Sequence, residues 1–179
     1  MKAEFESLQE NQVWQLVDMP KGKNLVGGKW HFAIKRNSSG DITKYKARYV
    51  ARGFKQKHGI DFDETYSPTI KMITVRMLLN LAVQREMKLK QLDIKTAYLN
   101  ADIDDEIYVE QPPGFAIPKS CGRNYVCKLN KSLYGLKQSG RNWFHTLRDF
   151  MLSKNFRQSK NDPCLFLRER NGHRDYVAT

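Results

Sequence analysis

The chain has 179 residues, 40% of them hydrophobic and 11% aromatic, and carries a formal net charge of +12. That is enough apolar material for one folded domain, or one domain and part of another, and it excludes a disordered tail. No apolar run approaches the roughly 20 residues that cross a bilayer, and no signal-type apolar stretch follows Met1-Lys-Ala-Glu-Phe-Glu, so an intracellular protein, cytoplasmic or nuclear, with no membrane partner is expected.

Residues 2–10 read as a short helix leading into a strand around Val13–Val17, and Pro20-Lys-Gly-Lys as a turn. Lys29–Arg36 reads as a strand, with Trp30, Phe32 and Ile34 alternating to one side. Asn37-Ser-Ser-Gly-Asp41 is a hairpin loop, because Asn and Gly tolerate the positive φ of such turns. The return strand, about Thr43–Arg52, places Lys44, Lys46 and Arg48 on one face and Tyr45, Ala47 and Tyr49 on the other. Residues 54–68 read as loop, ended by Pro68. Val75, Leu78, Leu79 and Ala82 follow the i, i+3, i+4, i+7 spacing of a helix over roughly 72–86. Lys88–Asp93 and Glu106–Gln111 read as strands, the second stopped by Pro112-Pro-Gly, and 112–124 as loop. Tyr125–Leu129 is a short strand, and Trp143, Leu147, Phe150 and Met151 give helical spacing from about Ser139 to Asn155. Cys164–Arg168 and Arg174–Val177 form a hairpin over Asn171-Gly172.

The charge is arranged in blocks. Residues 21–57 hold eleven Lys/Arg against one acid, Asp41, and residues 119–160 hold ten against one, Asp149. Between them, residues 93–110 hold six acids and one base, Lys95. Basic surface attracts a phosphate backbone, and clustered carboxylates hold divalent metal; ordinary solvated faces are the competing reading. Cys121, Cys127 and Cys164 are odd in number and lack CxxC spacing, which points to reduced thiols and away from zinc or a disulfide framework. Asp102, Asp104, Asp105 and Glu106 suggest a nuclease, but four acids in five residues cannot all face one metal. Gly22-Lys-Asn-Leu-Val-Gly-Gly-Lys29 fails as a phosphate loop for want of the required spacing.

Four segments carry a more specific pattern: Lys44-Tyr-Lys-Ala-Arg-Tyr-Val-Ala-Arg-Gly-Phe54, Gly59-Ile-Asp-Phe-Asp-Glu-Thr-Tyr-Ser-Pro68, Gln91-Leu-Asp-Ile-Lys-Thr-Ala-Tyr-Leu-Asn100 and Ser132-Leu-Tyr-Gly-Leu-Lys-Gln-Ser-Gly-Arg-Asn-Trp143. In this order, from Trp14 to about Phe166, they resemble the reverse transcriptase of copia-type retrotransposons. The resemblance implies an α+β right-hand polymerase fold, with residues about 12–70 fingers-like and about 71–179 an incomplete palm. It implies an RNA template, a DNA primer, deoxynucleotide triphosphates and two magnesium ions.

Carried over residue by residue, the resemblance makes Asp93 the carboxylate that bridges both metals, with the Ile94 carbonyl as a further ligand; a surface Asp capping a strand end is the alternative. Tyr98 matches the ring beneath the incoming sugar, which leaves no room for a 2′-hydroxyl; the alternative is a packing tyrosine. Lys46 and Arg48, backed by Lys44 and Arg52, are candidates for the triphosphate, or else a solvated hairpin face. Gly135 allows a close backbone approach, and Lys137, Gln138 and Arg141 are assigned to template and primer.

The chain departs from the family pattern in three places. Ser139-Gly140 replaces Ala-Pro, which is expected to loosen the entry to the following helix. Ala101 replaces Gly, which is expected to alter the turn after Tyr98. The Tyr-x-Asp-Asp motif that supplies the second metal carboxylate does not occur before Asp175-Tyr-Val-Ala-Thr179. The expectation is a fingers and partial palm segment, inactive by itself, whose remaining palm, thumb and ribonuclease H segments lie elsewhere in a polyprotein. The alternative is a non-catalytic nucleic-acid-binding remnant of a decayed element.

Overall fold

The computed structural model describes residues 1–117 and 124–179. Its helices are α1 (Lys2–Glu10), α2 (Met72–Gln84) and α3 (Ser139–Ser153). Its strands are β1 (Trp14–Asp18), β2 (Leu25–Val26), β3 (Gly28–Arg36), β4 (Ile42–Ala51), β5 (Tyr108–Val109), β6 (Tyr125–Leu129), β7 (Arg157–Gln158), β8 (Leu165–Arg170) and β9 (His173–Ala178). The content is α+β, with largely antiparallel pairing. The chain forms two compact units, one from Met1–Thr65 with Thr96–Trp143 and the other from Tyr66–Lys95 with Phe144–Thr179.

In the first unit the sheet order is β1-β6-β5-β2, with β2 parallel to β5 and the other pairs antiparallel. Val26, Val109, Cys127 and Leu129 turn into a core that also takes Leu8 from α1 and Leu99, Leu133 and Leu136 from the loops. Phe5 of α1 stacks on Phe115 with centroids 4.4 Å apart and meets Trp14 at 6.3 Å with planes tilted by 47°, so aromatic contacts fix the helix on the sheet.

β3 and β4 pair from Gly28↔Ala51 to Lys35↔Lys44, the hairpin expected from the alternation. Asn37 Oδ1 accepts the N–H groups of Ser39 and Asp41 and closes the loop. At the base, Tyr49 is buried and donates its hydroxyl to the Glu110 carbonyl at 2.5 Å. A β-carbon on Gly28 would lie 1.8 Å from that hydroxyl, so only glycine fits. Toward the tip the apolar face is uncovered, with Phe32, Ile34 and Tyr45 all exposed.

In the second unit, α2 begins without a side-chain cap on Lys71. Asp162, in the turn before β8, does that work from outside the helix. Its carboxylate accepts the Lys71 N–H at 3.0 Å, the Thr74 hydroxyl at 2.6 Å and the Cys164 N–H at 3.0 Å. Burial pushes the Asp162 carboxyl up, but these three hydrogen bonds and the Lys71 charge outweigh it and hold it below the usual range. β7-β8-β9 form an antiparallel sheet, with Asn171 and Gly172 in the turn at positive φ as the sequence requires.

Several expectations are corrected. Lys88–Asp93 is not a strand; among the described residues no strand lies beside it to take its backbone hydrogen bonds, and Leu89 and Leu92 are exposed. Glu106–Gln111 shortens to β5. The inward side of α2 centres on Thr74 and Ala82 and leaves Leu79 exposed. On α3, Met151 is buried and Phe150 is exposed. The end of the loop expected over 112–124, including Cys121, lies outside the described residues. Cys127 and Cys164 are free thiols.

Candidate nucleotide and template site

The site is built on the outer edge of β4. The Ala51 N–H donates to the Tyr134 carbonyl at 2.8 Å, which draws the loop before α3 onto the hairpin. Gly135 makes the approach possible. It sits at φ +90°, and a β-carbon there would lie 2.2 Å from the Ala51 carbonyl oxygen and 2.6 Å from Val50 Cγ1.

The Tyr134 ring then lies between two of the predicted residues. Tyr98 approaches it at 5.1 Å between centroids with planes tilted by 50°, and the Arg48 guanidinium lies 5.1 Å from its centroid. Tyr98 is carried by a 3₁₀ turn, Ala97–Asn100, that starts from Thr96 in the left-handed region and is anchored by buried Leu99. Ala101 is extended at φ −100°, so alanine is unstrained there and the turn does not need the family's glycine.

Lys46 lies two residues before Arg48, on the same face of β4. Desolvation, followed by the like charges of Arg48 and Lys35, holds its ammonium below the usual lysine range. Burial pushes the Tyr134 hydroxyl up, with Arg48 opposing.

The residues expected at the template divide. Lys137 is exposed, with its ammonium 5.3 Å from the centre of the Phe62 ring. Gln138 is 2% exposed and faces the chain itself. Its amide donates to the Asp61 carbonyl at 2.8 Å and to Asp105 at 2.7 Å, and it accepts from Gln56 at 3.0 Å. Gln138 therefore holds the turn instead of offering itself to a ligand. Arg141 is half-buried in the first turn of α3. That helix entry is not loose, because Ser139 is buried and donates its hydroxyl to the Leu133 carbonyl at 2.6 Å. Gln56, Asp61 and Asp105 carried no sequence signal of this role, since their partners are distant in the chain.

Asp93 and Ile94 belong to the second unit, in an exposed segment with no helix or strand. Among the described residues no group of three His, Cys, Asp or Glu side chains could hold a metal ion. Magnesium takes an octahedral set of oxygens, and one exposed carboxylate does not fit a pair of such ions.

Tyrosine rings under an arginine on a basic hairpin suit a planar, anionic ligand of the nucleotide kind. The profile of the family described as "Reverse transcriptase (RNA-dependent DNA polymerase)" matches residues 11–178. The chain belongs to that family, as a reverse transcriptase domain of the copia-type Pol polyproteins. It is 46% identical over 168 residues to the "Retrovirus-related Pol polyprotein from transposon TNT 1-94" of Nicotiana tabacum, covering 94% of this chain and 12% of that one. It is 43% identical over 171 residues to the corresponding polyprotein from transposon RE1 of Arabidopsis thaliana, covering 95% and 12%. The "Transposon Ty1-ER2 Gag-Pol polyprotein" of Saccharomyces cerevisiae is 35% identical over 137 residues, covering 74% and 7%. No solved structure matches the chain significantly. The chain thus spans about an eighth of the plant relatives' length and contains no helix long and apolar enough to cross a membrane among the described residues.

Proposed function

We propose that this chain is part of an RNA-directed DNA polymerase of right-hand architecture, residues 12–70 being fingers-like and 71–179 palm-like. It acts on an RNA template, a DNA primer and deoxynucleotide triphosphates, together with further palm, thumb and ribonuclease H segments of a polyprotein. The carrying observation is the meeting of Arg48, Tyr134 and Tyr98, three residues from three distant segments. Arg48 and Lys46 take the triphosphate, the Tyr98 ring lies against the sugar, and Gly135 lets the backbone approach it. Lys137 and Arg141 contact phosphate, while Gln138 fixes the turn that presents them. Asp93 is one carboxylate of the metal set. The uncovered apolar side chains of α2 and of residues 89–94 suit packing under a palm sheet.

By itself the chain is inactive in nucleotidyl transfer, since its donor set does not fit the magnesium ions. That misfit also favours a second reading, a non-catalytic nucleic-acid-binding remnant. Primer extension separates the two. The 179-residue chain is expected to give no product, and the chain joined to a Tyr-x-Asp-Asp hairpin and thumb is expected to extend a primer on RNA. Loss of that activity in Asp93→Ala supports the polymerase reading; a joined chain that binds duplex but never extends it supports the remnant.

A further inference from the structure

α1 precedes the family match, which begins at residue 11. It nevertheless places one carboxylate at the site. Glu4 lies in the first turn of α1, and the packing of Phe5 and Leu8 holds that turn against the unit. α1 packs against β4, the strand that carries Lys46 and Arg48. The outer edge of β4 also sends the Ala51 N–H to Tyr134. The charges of Arg48 and Lys46 act on the Glu4 carboxylate, and Glu4 in turn acts on Tyr134. Among the described residues no ion pair closes the arrangement: Glu4 Oε1 is buried and has no hydrogen-bond partner there.

We propose that Glu4 is a built-in counter-charge of the triphosphate subsite, which weakens the grip of Lys46 and Arg48 on anions until it is neutralised. This rests on the reading of Lys46 and Arg48 given above. Desolvation, only partly opposed by Arg48 and Lys46, raises the Glu4 carboxyl above its ordinary value, so falling pH neutralises it sooner than an ordinary glutamate.

The test is calorimetric binding of inorganic tripolyphosphate to the full chain at low salt. Glu4→Gln keeps the shape and removes the charge. At neutral pH it is expected to bind about two- to five-fold more tightly than the parent, with the gain shrinking as salt is added. Glu10→Gln, exposed at the far end of the same helix, removes an equal charge and is expected to change nothing comparable. The ratio of Glu4→Gln to parent affinity is expected to fall toward one as pH is lowered, because the parent then becomes neutral at residue 4. The ligand's own protonation cancels in that ratio. Equal affinities at neutral pH, or an equal gain in Glu10→Gln, overturn the inference while leaving the subsite standing. Undiminished binding by the Lys46→Ala/Arg48→Ala variant overturns the subsite itself, and the inference with it.

Discussion

Gly135 is where the architecture of the site is most exposed to a single change. Gly135→Ala meets two costs. A non-glycine residue in the left-handed half of backbone space costs about 1–2 kcal/mol. The new β-carbon also falls 2.2 Å from the Ala51 carbonyl oxygen, a main-chain atom on the outer edge of β4 that cannot rotate aside. Forcing extra volume into such a contact adds about 1–3 kcal/mol, for a total of about 2–5 kcal/mol. Gly114 provides the control: its φ of +87° nearly equals the +90° of Gly135, yet a β-carbon there meets nothing within 4 Å. Gly114→Ala is therefore expected to cost the backbone term alone. Trp14, Trp30 and Trp143 all lie in the first unit, so tryptophan fluorescence reports its unfolding in urea. With a urea dependence of about 2 kcal/mol per molar, the Gly135 variant should unfold about 0.5–1.5 M earlier than the Gly114 variant. It should also bind tripolyphosphate more weakly, because the clash pushes Tyr134 off Arg48. Equal midpoints for the two variants would refute the close-approach argument.

Asp162→Asn should destabilise the second unit by about 1.5–3 kcal/mol, since three hydrogen bonds to a buried charged acceptor weaken together. Because the folded carboxyl is held low, its contribution is fully present above the ordinary aspartate value of about 3.9 and is lost as pH falls through the folded one. Thermal melts by circular dichroism should show parent and variant converging in acid. Burial pushes the Cys127 thiol up to about 12, so a disulfide reagent at neutral pH should leave it unmodified until the chain unfolds, as read by peptide mass spectrometry. In the joined polymerase, Tyr98→Val should raise ribonucleotide incorporation relative to deoxynucleotide; an unchanged ratio of kcat/KM would reduce Tyr98 to a packing residue. Binding of single-stranded RNA and of template–primer duplex should weaken steeply with salt as counterions are released, and a salt-indifferent affinity in filter binding would argue against phosphate contact.

The sequence by itself determined the hairpins and helices, because period and turn chemistry are local. Trp30, Phe32 and Ile34 alternate, Asn171-Gly172 turns, and both long helices start within a residue of expectation. It also determined the family, since the motif-bearing segments all lie within residues 11–178, which the family profile matches. Only the tertiary structure decided which of those residues meet. Arg48 and Tyr98 are fifty residues apart, and Tyr134 joins them only because Gly135 lets its loop approach Ala51. The same holds for Gln138, polar by type yet buried by partners such as Gln56, 82 positions away. Lys88–Asp93 shows the converse, for apolar residues there suggest a strand, but a strand forms only where another backbone takes its hydrogen bonds. Glu4 belongs to no motif; its charge matters only because α1 packs against β4.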